Sequence, residues 1–315
     1  MTSAIDDCLD RGGPPLPWVF GLAARLEGED RVAMLDDAGA LSRSLSTAAD
    51  LFGLPAVCTS LDPAVAAEAA GCAVELGTDD TLSVTEGPVA SIDDAFDLDV
   101  DGAVDRGRVP TALDATERLA ATLDGTSVLG GLAGPDALAE ALLADGAGAA
   151  DVDDDLRYEA TLTAGDVGVA LANAFLDRDA EGIAVLEPDG IAHADRYRDA
   201  VVPLCNVIDH YDAAAVLVQR TVDADDVALA AEVGFDAITG RVAGDDPDAA
   251  EAAVDAAGRE GIALGVGVPR DALRDGPDAV AAFRDEQPSG ALLSSEWEVP
   301  AGTEPEALHR LMDSL

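Results

Sequence analysis

The chain has 315 residues, of which 49% are hydrophobic and 3% aromatic, and a net charge of −45 from 63 acidic and 18 basic residues. So much apolar sequence excludes an acidic disordered chain. So few basic residues, all of them arginine, argue against general nucleic-acid or anionic-membrane binding.

Acidic residues spread evenly over a folding sequence suit a salt-rich cytoplasm, where screening shortens their repulsion. The charge then reports habitat rather than partner. Residues 1–10 lack an apolar signal core, and no run approaches membrane-spanning length. A soluble cytoplasmic protein is expected. Cys8, Cys58, Cys72 and Cys205 form no C-x-x-C pair and read as buried small hydrophobes.

In chain order, residues 1–17 read as an irregular arm broken at 12–15. A short apolar run follows at 18–20. Residues 32–52 carry leucines at helical spacing and read as one helix, stopped by Gly53 and Pro55. A strand is expected at 56–60 and a small helix at 64–70. Residues 72–108 form an insertion: short β-like pieces with turns at Asp79-Asp80 and Gly87-Pro88, then an acidic loop over 97–108. A helix follows at 110–123.

The stretch 126–143 organises the rest. Val128, Leu129 and Leu132 make a buried strand. Gly130, Gly131 and Gly134 allow a tight turn or a close approach to a ligand. Pro135 suits a first helical turn. Residues 145–155, rich in Gly, Ala and Asp, suit a mobile loop, and a helix spans 156–176. Strand and helix then alternate: strands at 182–187, 214–219, 235–239, 262–268 and 290–295, and helices at 194–211, 224–233, 247–260, 278–285 and 304–312.

This gives eight strands, nearly all apolar on both faces, as a parallel sheet covered by helices requires. Eight βα units in one chain of this size predict a single-domain (β/α)8 TIM barrel over residues 1–315, with a doubly wound open sheet as the alternative. No G-x-G-x-x-G or G-x-x-x-x-G-K-S/T opens a helix, which weakens nucleotide binding.

In a barrel, function gathers where strands end. That rule selects Arg25, Asp62, Gly130–Gly134, Glu187, Gln219, Arg220, Arg241, Arg270 and Ser294–Glu296. Asp62, before Pro63, is a helix cap or a cleft carboxylate. Glu187 is a surface acid or a ligand contact. Each arginine either grips a ligand carboxylate or pairs with a nearby Asp. Ser294 and Ser295 have no histidine base nearby in the pattern. His193, His210 and His309 fall in or just before helices, with no cysteine at ligand spacing, so no metal site is expected.

Four segments resemble the uroporphyrinogen decarboxylase superfamily in order and spacing. Residues 17–25 (PWVFGLAAR) are similar to its P-V-W-x-M-R-Q-A-G-R motif. Residues 85–96 (TEGPVASIDDAF) resemble its G-E-G-P and S-x-E-D segments. Residues 131–139 (GLAGPDALA) resemble its G-x-x-G-x-P-x-T-L-A turn, and residues 302–306 (GTEPE) its closing G-T-P-P-E-N.

The resemblance implies a (β/α)8 barrel and cofactor-independent decarboxylation of a tetrapyrrole or related carboxylate. It puts the family's cleft aspartate on Asp62, which is therefore the expected catalytic residue, and the second signature arginine on Arg25. The first signature arginine falls on Gly21, the family tyrosine on Ala141, and the closing histidine near Glu296. Gly131, Gly134, Glu187, Arg220, Arg241 and Glu296 join Arg25 as expected substrate contacts. The superfamily's cobalamin-dependent methyltransferases need H-x-C where residues 217–221 read LVQRT. The alternative is a re-purposed, non-catalytic barrel binding a corrinoid, a tetrapyrrole or a protein partner. A homodimer is the assembly entertained.

Overall fold

Runs of Ala, Val and Leu that are apolar on both faces cannot lie at a surface, and here they form the staves of a barrel. A computed structural model describes residues 3–10, 13–77, 81–144, 152–242, 247–287 and 292–313. Its strands are β1 (Leu16–Trp18), β2 (Ala56–Cys58), β3 (Ala73–Leu76), β4 (Leu82–Glu86), β5 (Ser127–Ala133), β6 (Gly182–Leu186), β7 (Ala214–Val222), β8 (Ala237–Val242), β9 (Ala263–Val268) and β10 (Leu292–Glu298).

Eight of these form one parallel sheet in the order β1-β10-β9-β8-β7-β6-β5-β2. Its two end strands, β1 and β2, lie against each other. The sheet is thus a nearly closed (β/α)8 barrel with helices between the strands, as expected. Every residue of β5 and β6 is buried. Strands β3 and β4 pair as a separate antiparallel hairpin in the insertion.

Several local expectations need correction. The N-terminal arm is not wholly irregular: Ala4–Leu9 is a helix, closed by a capping box between Ser3 and Asp6. The first strand lies two residues earlier than its apolar run suggested, and helix Gly21–Glu27 follows it. The single helix expected over 32–52 is two, Arg31–Asp36 and Ala38–Phe52. Asp37 divides them, because its extended backbone and its carboxylate, accepting from Ala40 N at 2.7 Å, start a new helix. The turn at Asp79-Asp80, residues 145–151 of the expected mobile loop, and the start of the last strand at 290–291 lie outside the described residues.

The short first strand is fastened by side chains as well as backbone. Ser294 Oγ donates to the Leu16 carbonyl at 2.6 Å, and Trp18 N donates to Ser295 Oγ at 2.9 Å. Both serines are therefore engaged in joining β1 to β10. Trp18 Nε1 donates to Thr239 Oγ1 at 3.0 Å, which satisfies the one polar atom of a buried indole. All four cysteines are free and buried, and burial pushes their thiols up to about 12. They are neutral near pH 7 and poor nucleophiles. No helix among the described residues is long and apolar enough to cross a membrane.

Candidate active site

The carboxyl ends of the strands open onto one cleft of about 1100 Å³. Of the residues expected at a site, Arg25, Asp62, Glu187 and Arg220 line it, and Arg270 does too. Arg31 and Arg196 complete a set of five arginines, in a chain that has only 18. Eight acidic residues share the lining, among them Asp136, Asp189 and Glu298. That is a far higher share of arginine than the chain as a whole carries.

Asp62 proves to be both a helix cap and a cleft carboxylate. Its Oδ1 accepts from Ala64 N at 3.0 Å, starting helix Pro63–Ala69. Its Oδ2 accepts from Arg31 Nη1 at 2.7 Å. Arg31 also reaches Glu298 Oε2 at 3.2 Å, and Glu298 Oε1 accepts from Gly21 N at 2.5 Å. Burial works against the Arg31 charge, but Glu298 and Asp62 outweigh it and raise the guanidinium further above its usual value. Glu298 ends β10 and Asp62 follows β2, so Arg31 ties together the strands on either side of β1. It also lies over the Phe20 ring at 5.2 Å.

The resemblance placed an arginine at position 21, where this chain has glycine. A Cβ on Gly21 would stand 2.7 Å from Glu298 Oε1 and 3.6 Å from Arg31 Cδ. A cation therefore occupies this corner, supplied from ten residues later. No motif in the sequence pointed to Arg31, because it sits among acids in what reads as an ordinary helix start. Arg25 projects from helix Gly21–Glu27 and donates to the Thr303 carbonyl at 2.6 Å.

Glu187 follows β6 and is 1% exposed. Its two oxygens accept from Asp136 N at 2.9 Å and Ala137 N at 2.8 Å, the first free amides of helix Pro135–Leu142. A carboxylate at a helix N-terminus meets both unpaired donors and the positive end of the dipole. Gly134 permits this: a Cβ there would lie 2.5 Å from Glu187 Cδ. Burial, and then the charge of Asp136, push the Glu187 carboxyl well above the usual carboxylate range. Burial also raises Asp136, partly offset by the Ala192 amide and by Arg196.

The other expected contacts lie elsewhere. Gly131 is packed inside β5, where a Cβ would meet the Ser60 carbonyl carbon at 2.7 Å and Cys58 Sγ at 2.8 Å. Its role is close strand packing. Arg241 lies in β8 beside Thr221 of β7, outside the cleft lining. Glu296 accepts from the Arg270 backbone N at 3.1 Å and is not part of the wall. Arg220 is half exposed at the rim, 5.5 Å from the Trp297 ring and 3.4 Å from Asp189. Among the described residues, no three His, Cys, Asp or Glu side chains converge as metal ligands.

Residues 23–160 match the family model for uroporphyrinogen decarboxylase (URO-D). No curated protein matches the sequence. Among solved structures, a methyltransferase from Methanosarcina mazei is similar at 20% identity and a TM-score of 0.79, over 97% of this chain and 94% of that one. A B12-independent methionine synthase from Shewanella sp. W3-18-1 is similar at 10% identity and a TM-score of 0.52, over 89% of this chain and 86% of that one. At such identities the likeness shows the barrel and leaves the reaction open. Over residues 23–160 the chain is therefore similar to the uroporphyrinogen decarboxylase family, and over its length it shares the barrel of the methyltransferase structure.

Proposed function

We propose that this barrel is a cofactor-independent carboxy-lyase that acts on a tetrapyrrole or a related polycarboxylate, working in a salt-rich cytoplasm. One observation carries the reading: five of the 18 arginines line a single cleft of about 1100 Å³ in an otherwise strongly acidic chain. The acids of the same lining repel carboxylates, so a polyanionic ligand would depend on the arginines not already held by buried acids, above all the exposed Arg220 and Arg270.

The chemistry asks little beyond charge placement. A ring carbon takes a proton, and the ring becomes cationic. The bond to the side-chain carboxylate then breaks, its electron pair neutralises the ring and CO2 leaves; a proton then takes the vacated carbon while the ring carbon gives back the proton it first took, so one proton is consumed for each CO2 released. Asp62 supplies negative charge on the cleft wall for the cationic stage. Each of its oxygens holds one protein hydrogen bond, and a carboxylate has about four acceptor sites, so it retains capacity for a ligand N–H.

The test is turnover. Purified protein in molar potassium chloride is incubated with uroporphyrinogen under reducing conditions, and products are separated by carboxylate number. Stepwise conversion to coproporphyrinogen is expected, with at least about a hundredfold loss in Asp62→Asn. A folded wild-type protein that releases no CO2 contradicts the lyase. Because Arg31 already engages Asp62, binding of a tetrapyrrole or corrinoid without turnover is the second reading.

A further inference from the structure

We propose that Trp297, with Arg220 and Arg270, forms a platform in the cleft for a flat conjugated ring that carries carboxylates. All three residues line the cleft. Trp297 lies near the carboxyl end of β10 and is half-buried, in a chain with two tryptophans. The Arg220 guanidinium lies over its ring, 5.5 Å from the centroid. The Arg220 side chain is 53% exposed, and its ion pair at 3.4 Å is with Asp189, which is 91% exposed. A ligand displaces so exposed a pair at little cost. The Arg270 backbone N donates to Glu296, the residue before Trp297, at 3.1 Å. That bond starts the exposed Arg270 side chain on the same stretch of rim.

Only 3% of the chain is aromatic, so an indole opening on a cleft is a scarce residue left out of the core. Trp18 shows the contrast: it is 3% exposed and its N–H is held by Thr239. An indole and a guanidinium stacked together offer a flat surface that attracts the face of a conjugated ring. The two arginines beside it then take carboxylates at the ring edge. The β3–β4 hairpin, packed on the helices that follow β2 and β5, brings Leu82 and Val84 to the lining from another side. A saturated carboxylate would satisfy the arginines and leave the indole face unused. An uncharged ring would cover the indole and leave the arginines unused. A pyrrole ring bearing carboxylate side chains meets both demands, as does any aromatic carboxylate. The inference rests on the polycarboxylate reading for the rim arginines, and adds to it the shape of what joins the carboxylates.

Nitrogen-15 tryptophan labelling of the whole protein tests it, in molar potassium chloride throughout. Of the two indole N–H resonances, the one lost in Trp297→Leu belongs to the cleft, and buried Trp18 is the internal reference. Titration with terephthalate should move the Trp297 resonance saturably and leave that of Trp18 in place. trans-1,4-Cyclohexanedicarboxylate carries the same two charges on a puckered, saturated ring and should bind about threefold or more weakly. 1,4-Benzenedimethanol keeps the flat ring without the charge and should bind about tenfold or more weakly. In Trp297→Leu, ligand-observed proton spectra should find the two dicarboxylates equal, while the melting temperature confirms folding. Equal binding of the two dicarboxylates by the wild type overturns the platform and leaves the polycarboxylate reading standing. A Trp297 resonance that terephthalate does not move, or a preference for terephthalate that survives Trp297→Leu, overturns the platform as well.

Discussion

Around this cleft, Arg31 is held by Asp62 at 2.7 Å and Glu298 at 3.2 Å, whereas Arg196 Nε stops 3.9 Å from Asp136 and neither atom is bonded. The side chains of both arginines are about nine-tenths buried, at 10% and 11% exposure. Burial is therefore not what distinguishes them. In the first cluster the arginine is held on both sides and spans the seam where β1 separates β10 from β2, which suits a structural tie, while Asp62 keeps acceptor capacity toward the cleft. The second is a looser ion pair sealed within the cleft wall. One arrangement of charge holds the barrel rim together through hydrogen bonds, and the other is a loose pair without any.

The comparison is broken most sharply by removing each arginine in turn. Arg31→Met strands two buried carboxylates and should cost about 3–5 kcal/mol, read by denaturant unfolding at constant high salt. Arg196→Met removes only a 3.9 Å ion pair with Asp136 and no hydrogen bond, and should cost less, roughly 1–2 kcal/mol. Equal losses would show that the Arg31 cluster holds nothing special together.

Gly134→Ala comes next. The new Cβ would crowd Glu187, and either the carboxylate leaves the helix amides or the strand end shifts, for about 1–3 kcal/mol. Glu187→Gln sharpens the comparison through pH. The folded-state carboxyl of Glu187 is raised above its ordinary value of 4.5, so the folded chain holds this proton more tightly than the unfolded chain. Its stabilising contribution is full below the ordinary value and is lost as pH rises toward the raised one. Wild type should therefore lose stability relative to Glu187→Gln as pH climbs through that window, in paired melting curves. Parallel curves would mean the carboxylate is satisfied by its two amides in spite of its burial.

Much of the barrel was legible beforehand. Apolar runs such as residues 127–133 and 182–186 are readable because a strand buried on both faces has no polar alternation to confuse it. The arm and the 32–52 region were harder. Ser3 and Asp37 cap helices through single side-chain contacts, and an Asp in a chain with 63 acidic residues carries little signal. At the site, the rule that strand ends carry function pointed to Arg25, Asp62, Glu187 and Arg220. It could not reach Arg31 or Arg196, which lie on helices among acids and look like surface pairs. It also named Gly131, Arg241 and Glu296, which do not line the cleft, because position along a strand does not say which way a residue faces. Asp136 was hidden in plain view: an Asp after Gly-Pro reads as a favourable first-turn residue, and its unpaired oxygen appears only in three dimensions.

The central claim is that the arginines of this cleft receive a polycarboxylated tetrapyrrole, and equilibrium binding of uroporphyrin, followed by its fluorescence anisotropy, tests it directly. Saturable binding should weaken about tenfold or more when the rim cations are removed in the Arg220→Ala, Arg270→Ala double variant, with stability unchanged within roughly 0.5 kcal/mol because both side chains sit at the surface. No saturable binding by the folded wild type, or binding indifferent to those two arginines, would contradict the account.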